Sequence, residues 1–160
     1  MLKMYRLENT AEILKDNGWI IGHTVFCVYL LILSVMDIRK RKLRLEILLA
    51  GFPAAAVCGF FVRDIPIALL AAGGAVGVVF LIISRATEES LGYGDSILIT
   101  VLGIYMGFWN ILTLLVTAFF LGAVFSGVML VRKKYTGKSS FPFVPFLTAA
   151  YVGGVFVGMY

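Results

Sequence analysis

The sequence predicts an all-α integral membrane protein: a bundle of six transmembrane helices with the N and C termini outside, preceded by an amphipathic N-terminal interfacial helix. Three observations carry that expectation. Hydrophobic residues make up 61% of the 160 and charged residues 14%, against roughly a quarter charged in an ordinary soluble domain. The apolar residues fall in runs approaching the roughly 20 residues that a bilayer core requires. When those runs are threaded alternately through a membrane, Lys and Arg collect on one face. A chain this short leaves no room for a second domain of ordinary size, so residues 19–160 are read as one membrane domain behind a segment 1–18, and any function must reside in the bundle or its short loops.

Residues 1–18 mix signs (Lys3, Arg6, Glu8, Glu12, Lys15, Asp16), while Met4, Leu7, Ala11 and Leu14 recur at helical spacing until Asn17 and Gly18 stop the pattern. That is the signature of an interfacial helix. It is not a signal peptide, because the next run is long enough to span and has no small-residue cleavage pattern behind it. The first three spans are expected at 19–36, 47–62 and 65–84. Residues 96–131 contain no charge, too long a stretch for one crossing and right for two, with "GFWN" at 107–110 supplying a glycine break and an interfacial tryptophan. Residues 141–160 make the sixth.

Of the 14 Lys and Arg residues, ten (Arg39, Lys40, Arg41, Lys42, Arg44, Arg85, Arg132, Lys133, Lys134, Lys138) then fall on one face and four (Lys3, Arg6, Lys15, Arg63) on the other. The positive-inside rule makes the first face cytoplasmic. The net charge of +5 is thereby gathered at a membrane surface, where anionic lipid is the partner expected, and it is not a sign of nucleic-acid binding.

Cys27 and Cys58 both lie inside apolar runs and have neither zinc-site nor disulfide-framework spacing, so they read as small apolar fillers. His23, the single histidine, has no carboxylate or thiol nearby in sequence and makes a poor metal site; packing or an interfacial position is expected. Gly73 with Gly77, Gly103 with Gly107 and Gly154 with Gly158 sit four apart within spans, a spacing that lets helix backbones approach closely.

Most acidic residues have ordinary places. Glu8, Glu12 and Asp16 belong to the polar N-terminal helix, Asp64 sits beside Arg63 in an outer turn, and Glu46 opens a span behind the basic run. Asp37 and Asp95 differ: the first ends span one, the second opens span four, and both fall at the cytoplasmic ends of their helices. A carboxylate at membrane depth costs about 2.5–3.5 kcal/mol at a helix centre and is by default a candidate for function. Taken singly, Asp95 could cap its helix and Asp37 could pair with the adjacent Arg and Lys. As a pair, two close carboxyl groups hold one proton between them, leaving one ionised to activate water and the other protonated to polarise a carbonyl. Gly92 and Gly94, just ahead of Asp95, would let an extended peptide and a water reach it, because glycine permits close approach.

Three stretches in order, "DIRKRKLRLEILL" from Asp37, "ESLGYGDSILI" around Asp95, and "FPFVPFL" at 141–147, resemble the type IV prepilin peptidases, which are GxGD-type intramembrane aspartyl proteases. The likeness runs from about residue 19 to the end and is to the short form, without the zinc-binding, methylating cytoplasmic domain. It implies a membrane aspartyl endopeptidase in the inner (cytoplasmic) membrane that cuts the leader from type IV pilin-like precursors at the cytoplasmic face. It implies Asp37 and Asp95 as the catalytic dyad, Gly92, Gly94, Pro142 and Pro145 as motif and access residues, no cofactor, no metal and no methyl transfer. Glu88 and Glu89 could meet the basic leader. The chain departs from the family pattern at Leu43-Arg44, where an isoleucine-proline-like turn is usual, at Ile97, where a lysine is usual, and at Val144, where a small residue is common. Two other readings stand beside the protease: a family member that has lost activity, and a small proton-coupled transporter. The transporter needs polar groups at successive depths, whereas these spans carry only scattered Ser and Thr.

Overall fold

A computed structural model describes residues 2–40, 44–62, 65–86, 92–131 and 142–160, with side chains from residue 17 onward apart from Lys40, Phe61 and Val62. Among the described residues the fold is all-helical: α1 Leu2–Lys40, α2 Leu45–Val57 closing in a π-helical turn Cys58–Val62, α3 Ile67–Ala86, α4 Tyr93–Met106, α5 Phe108–Val131 and α6 Val144–Val157. Three helical stretches, Asn17–Arg39, Ile67–Ala86 and Phe108–Val131, are long and apolar enough to cross a bilayer, and the other three are shorter apolar helices. The chain is a membrane protein.

The expected break at Asn17-Gly18 does not occur, since α1 runs through it unbroken. A glycine inside a helix costs only about 1 kcal/mol relative to alanine. Opening the backbone where a helix enters lipid leaves groups unsatisfied at several kcal/mol each. The helix therefore continues through the glycine. The break at "GFWN" does occur: Gly107 caps α4 with φ 79°, a left-handed conformation that only glycine adopts without strain.

The architecture is built around α4. Every residue from Ser96 to Met106 is buried except Ile104, which is half-buried, the pattern of a helix covered on all sides. Helices α2, α3 and α5 pack directly on it, α6 packs on α1 and α5, and α1 reaches α4 through Phe26, whose ring stacks on Tyr105 at 3.8 Å.

Lipid tails are as apolar as leucine, so close packing rather than water exclusion holds such helices together. The closest seam is α3 on α4. A Cβ on Gly73 would strike the Gly103 carbonyl, a Cβ on Gly103 would strike that of Gly73, and a Cβ on Gly77 would strike Thr100. The first two expected glycine pairs are therefore packing devices, with Gly103 contributing contact and Gly107 the turn. The third pair works differently. Gly154 makes room for the Tyr160 ring, and Gly158 is a left-handed cap with φ 71°, so this spacing serves the end of α6 and not a helix–helix face.

Replacing Gly103 by alanine is expected to lower the thermal stability of the detergent-solubilised protein by about 1–3 kcal/mol, the usual cost of overpacking. Gly127→Ala in α5, where a Cβ meets nothing within 4 Å, is expected to be neutral or stabilising by up to about 1 kcal/mol. Parallel melting curves compare the two.

Candidate active site

The bundle has two unlike ends. At one, the C-terminal end of α1 and the N-terminal ends of α4 and α6 converge with Asp37, Asp95 and Val144. At the other, His23 of α1 is buried against Tyr151 of α6, its Nδ1 2.8 Å from the Tyr151 Oη, with the Trp19 ring centroid 4.6 Å away and that of Tyr105 5.8 Å away. The expected packing role of His23 holds. Cys27 and Cys58 are free, half-buried and packed on the core, as expected of fillers.

Asp37 lies on the stripe of α1 that faces the bundle, with Leu30, Leu33 and Ser34, all buried. Its Oδ2 accepts a hydrogen bond from the Val144 backbone N–H at 3.3 Å. The start of α6 explains why that donor is free. Phe146 and Leu147 both donate back to the Phe143 carbonyl, and Pro145 has no N–H. The Val144 N–H is the remaining orphan of the first turn, and a carboxylate from another helix takes it. This charge-assisted bond sits at the positive end of the α6 dipole.

One turn of α6 further on, the Thr148 hydroxyl is shared between the Val144 carbonyl at 2.8 Å and the Leu30 carbonyl of α1 at 3.3 Å. Asp37, Thr148 and His23 thus give the α1–α6 seam a polar tie at each of three levels.

Asp95 occupies the first turn of α4, three residues after its N-cap, Gly92. It is half-buried and close enough to Asp37 for the two charges to interact. A Cβ on Gly92 would stand 2.7 Å from the Asp95 Oδ2, so the carboxylate occupies the space that this glycine leaves. Gly94 is half-buried in the same turn. Pro142 is half-buried just ahead of α6, and Pro145 lies in its first turn. Glu88 and Glu89 lie outside the described residues.

Of the three departures from the expected motif, Arg44 is the exposed N-cap of α2, while Ile97 and Val144 are buried core residues. Sequence reasoning missed the role of Val144. It acts through its backbone, and the signal that could have found it is the proline that follows, which leaves one N–H to spare. Among the described residues, no group of three or more His, Cys, Asp or Glu side chains is placed to hold a metal ion.

Two carboxylates on different helices thus lie at one end of an apolar bundle, within range of each other's charge. The model of the type IV leader peptidase family matches residues 24–127, a stretch that holds both aspartates, the C-terminal part of α1, all of α2, α3 and α4 and most of α5. The chain belongs to the type IV leader peptidase family. No curated protein and no solved structure matches it.

Gly92→Ala is expected to leave the melting temperature within about 0.5 kcal/mol of wild type, because the atom displaced is the free end of a side chain. It should displace the Asp95 carboxylate, and leader cleavage is expected to fall about tenfold or more, the loss that follows where the displaced group takes part in the reaction. Melting and cleavage measured on one preparation check both halves.

Proposed function

We propose that this protein is an aspartic endopeptidase that removes the leader from type IV pilin-like precursors, with Asp37 and Asp95 as its catalytic pair. The observation that carries this reading is the meeting of the two carboxylates at one end of the bundle, within a chain of the leader peptidase family. All six helices are taken to cross the inner membrane, with both termini outside and the carboxylate end facing the cytoplasm. Two features support that orientation: the ten Lys and Arg residues on that side of the threading, and the exposed Trp19 and Trp109 at the opposite end, where interfacial aromatic residues anchor a membrane protein.

The chemistry follows from the unequal settings of the two acids. Asp37, held by an N–H at a helix N-terminus, is the ionised partner, and Asp95 carries the shared proton. Asp37 takes a proton from water as the water oxygen attacks the scissile carbonyl, and Asp95 gives its proton to the carbonyl oxygen. The resulting gem-diol collapses as the proton on Asp37 passes to the departing amine and one hydroxyl proton returns to Asp95. The C–N bond breaks, a carboxylic acid and an amine are released, and the pair is restored. No cofactor or methyl donor enters.

Incubation of the purified protein with a pilin-like precursor tests the reading. Wild type should cleave, and Asp37→Asn and Asp95→Asn should each lower the rate about a hundredfold or more, with melting within about 1–2 kcal/mol of wild type because each amide keeps an acceptor oxygen. A chelator should leave the wild-type rate intact. Cleavage at the wild-type rate by either variant would remove that residue from the mechanism, and proton flux without cleavage would point to a transporter.

A further inference from the structure

Most of the described serine and threonine hydroxyl groups of this bundle are satisfied in one way. Thr24, Ser96, Thr100, Thr113, Thr117 and Thr148 each donate to the carbonyl four residues earlier, the usual way a hydroxyl is satisfied inside a membrane helix. Ser34 is buried at 8% exposure and makes no such bond among the described residues. The carbonyl it would use, that of Leu30, receives the Thr148 hydroxyl from α6. The Ser34 hydroxyl is not among the sealed, unpartnered polar atoms of the bundle; it keeps accessible surface, so a partner from outside the protein can reach it.

Ser34 also stands in a telling place. Leu30 and Leu33 on the inward stripe are sealed, whereas Ser34 and Asp37 keep 8% and 9% of their surface. Residues three apart on a helix share a face, with Cβ atoms about 5–6 Å apart. That gap suits one water molecule bonded to both side chains. The Asp37 Oδ2 is engaged by Val144, which leaves Oδ1 for that water.

We propose that the Ser34 hydroxyl is a third working group of the site, holding the hydrolytic water against the free oxygen of Asp37. The proposal rests on the aspartic-peptidase reading and adds to it a group that neither gains nor loses a proton. The hydroxyl orients the water so that one of its protons faces Asp37 and its lone pair faces the scissile carbonyl. A group that acts on the attacking water alone raises the rate of the chemical step and leaves substrate binding as it was.

The test is precursor cleavage by the full-length protein with Ser34→Ala, Ser34→Cys and Ser34→Thr, alongside Asp37→Asn, with melting recorded for each. Ser34→Ala and Ser34→Cys should lose about tenfold or more in kcat at unchanged KM and melting temperature, and Ser34→Thr, which keeps the hydroxyl, should recover most of the rate. Full activity in Ser34→Ala or Ser34→Cys, a loss that appears in KM or in stability instead of kcat, or no recovery in Ser34→Thr would overturn the proposal. Wild-type cleavage by Asp37→Asn would instead overturn the reading beneath it, so the two failures are told apart in one assay.

Discussion

The hydrogen bond from the Val144 N–H to the Asp37 carboxylate is the constraint on which the rest of the site depends. A carboxylate near the membrane interior and the unpaired first turn of a helix each carry a cost alone. The charged group costs up to about 2.5–3.5 kcal/mol at depth, and a hydrogen bond to a charged group returns about 1.5–3 kcal/mol. Each therefore offsets most of the other. The bond also fixes geometry. It sets the height of α6 against α1, holds the carboxylate in one orientation, and leaves one oxygen of Asp37 uncommitted.

The second acid reaches the same end by a different means. Asp95 is carried by α4, and α4 is centred in the bundle because α3 lies against it with backbone on backbone at Gly73 and Gly103. Side chains there would push the helices apart and with them the mouth of α4. Helix–helix packing and the placement of the two acids are thus one problem in this fold. The aromatic end, with His23 tied to Tyr151 and Phe26 stacked on Tyr105, anchors α1, α4 and α6 at their far ends, so the three helices that bear the site are held at both extremities.

Much of this was legible in the sequence because it depends on residue type and alternation. The apolar runs, the break at Gly107 and the shared end of Asp37 and Asp95 follow from charge counting and helix length. What was not legible depends on partners distant in the chain. Val144 contributes a backbone N–H that no side-chain chemistry marks. Gly92 reads as room for a peptide, yet the nearest atom to a Cβ there is a carboxylate oxygen of Asp95. Gly154 and Gly158 share the spacing of Gly73 and Gly77 and serve another purpose, because spacing alone does not reveal what lies opposite. Asn17-Gly18 looks like a stop, and only the membrane-side cost of opening the backbone explains why α1 continues.

The central claim is that Asp37 and Asp95 face one another at one end of the bundle, and short-range cross-linking tests it most directly. In a background with Cys27 and Cys58 replaced by alanine, Asp37→Cys combined with Asp95→Cys should be joined within one chain by a short bifunctional thiol reagent, as should a control pair at the stacked positions Phe26 and Tyr105. Efficient joining of the control pair with none between 37 and 95 would contradict the account.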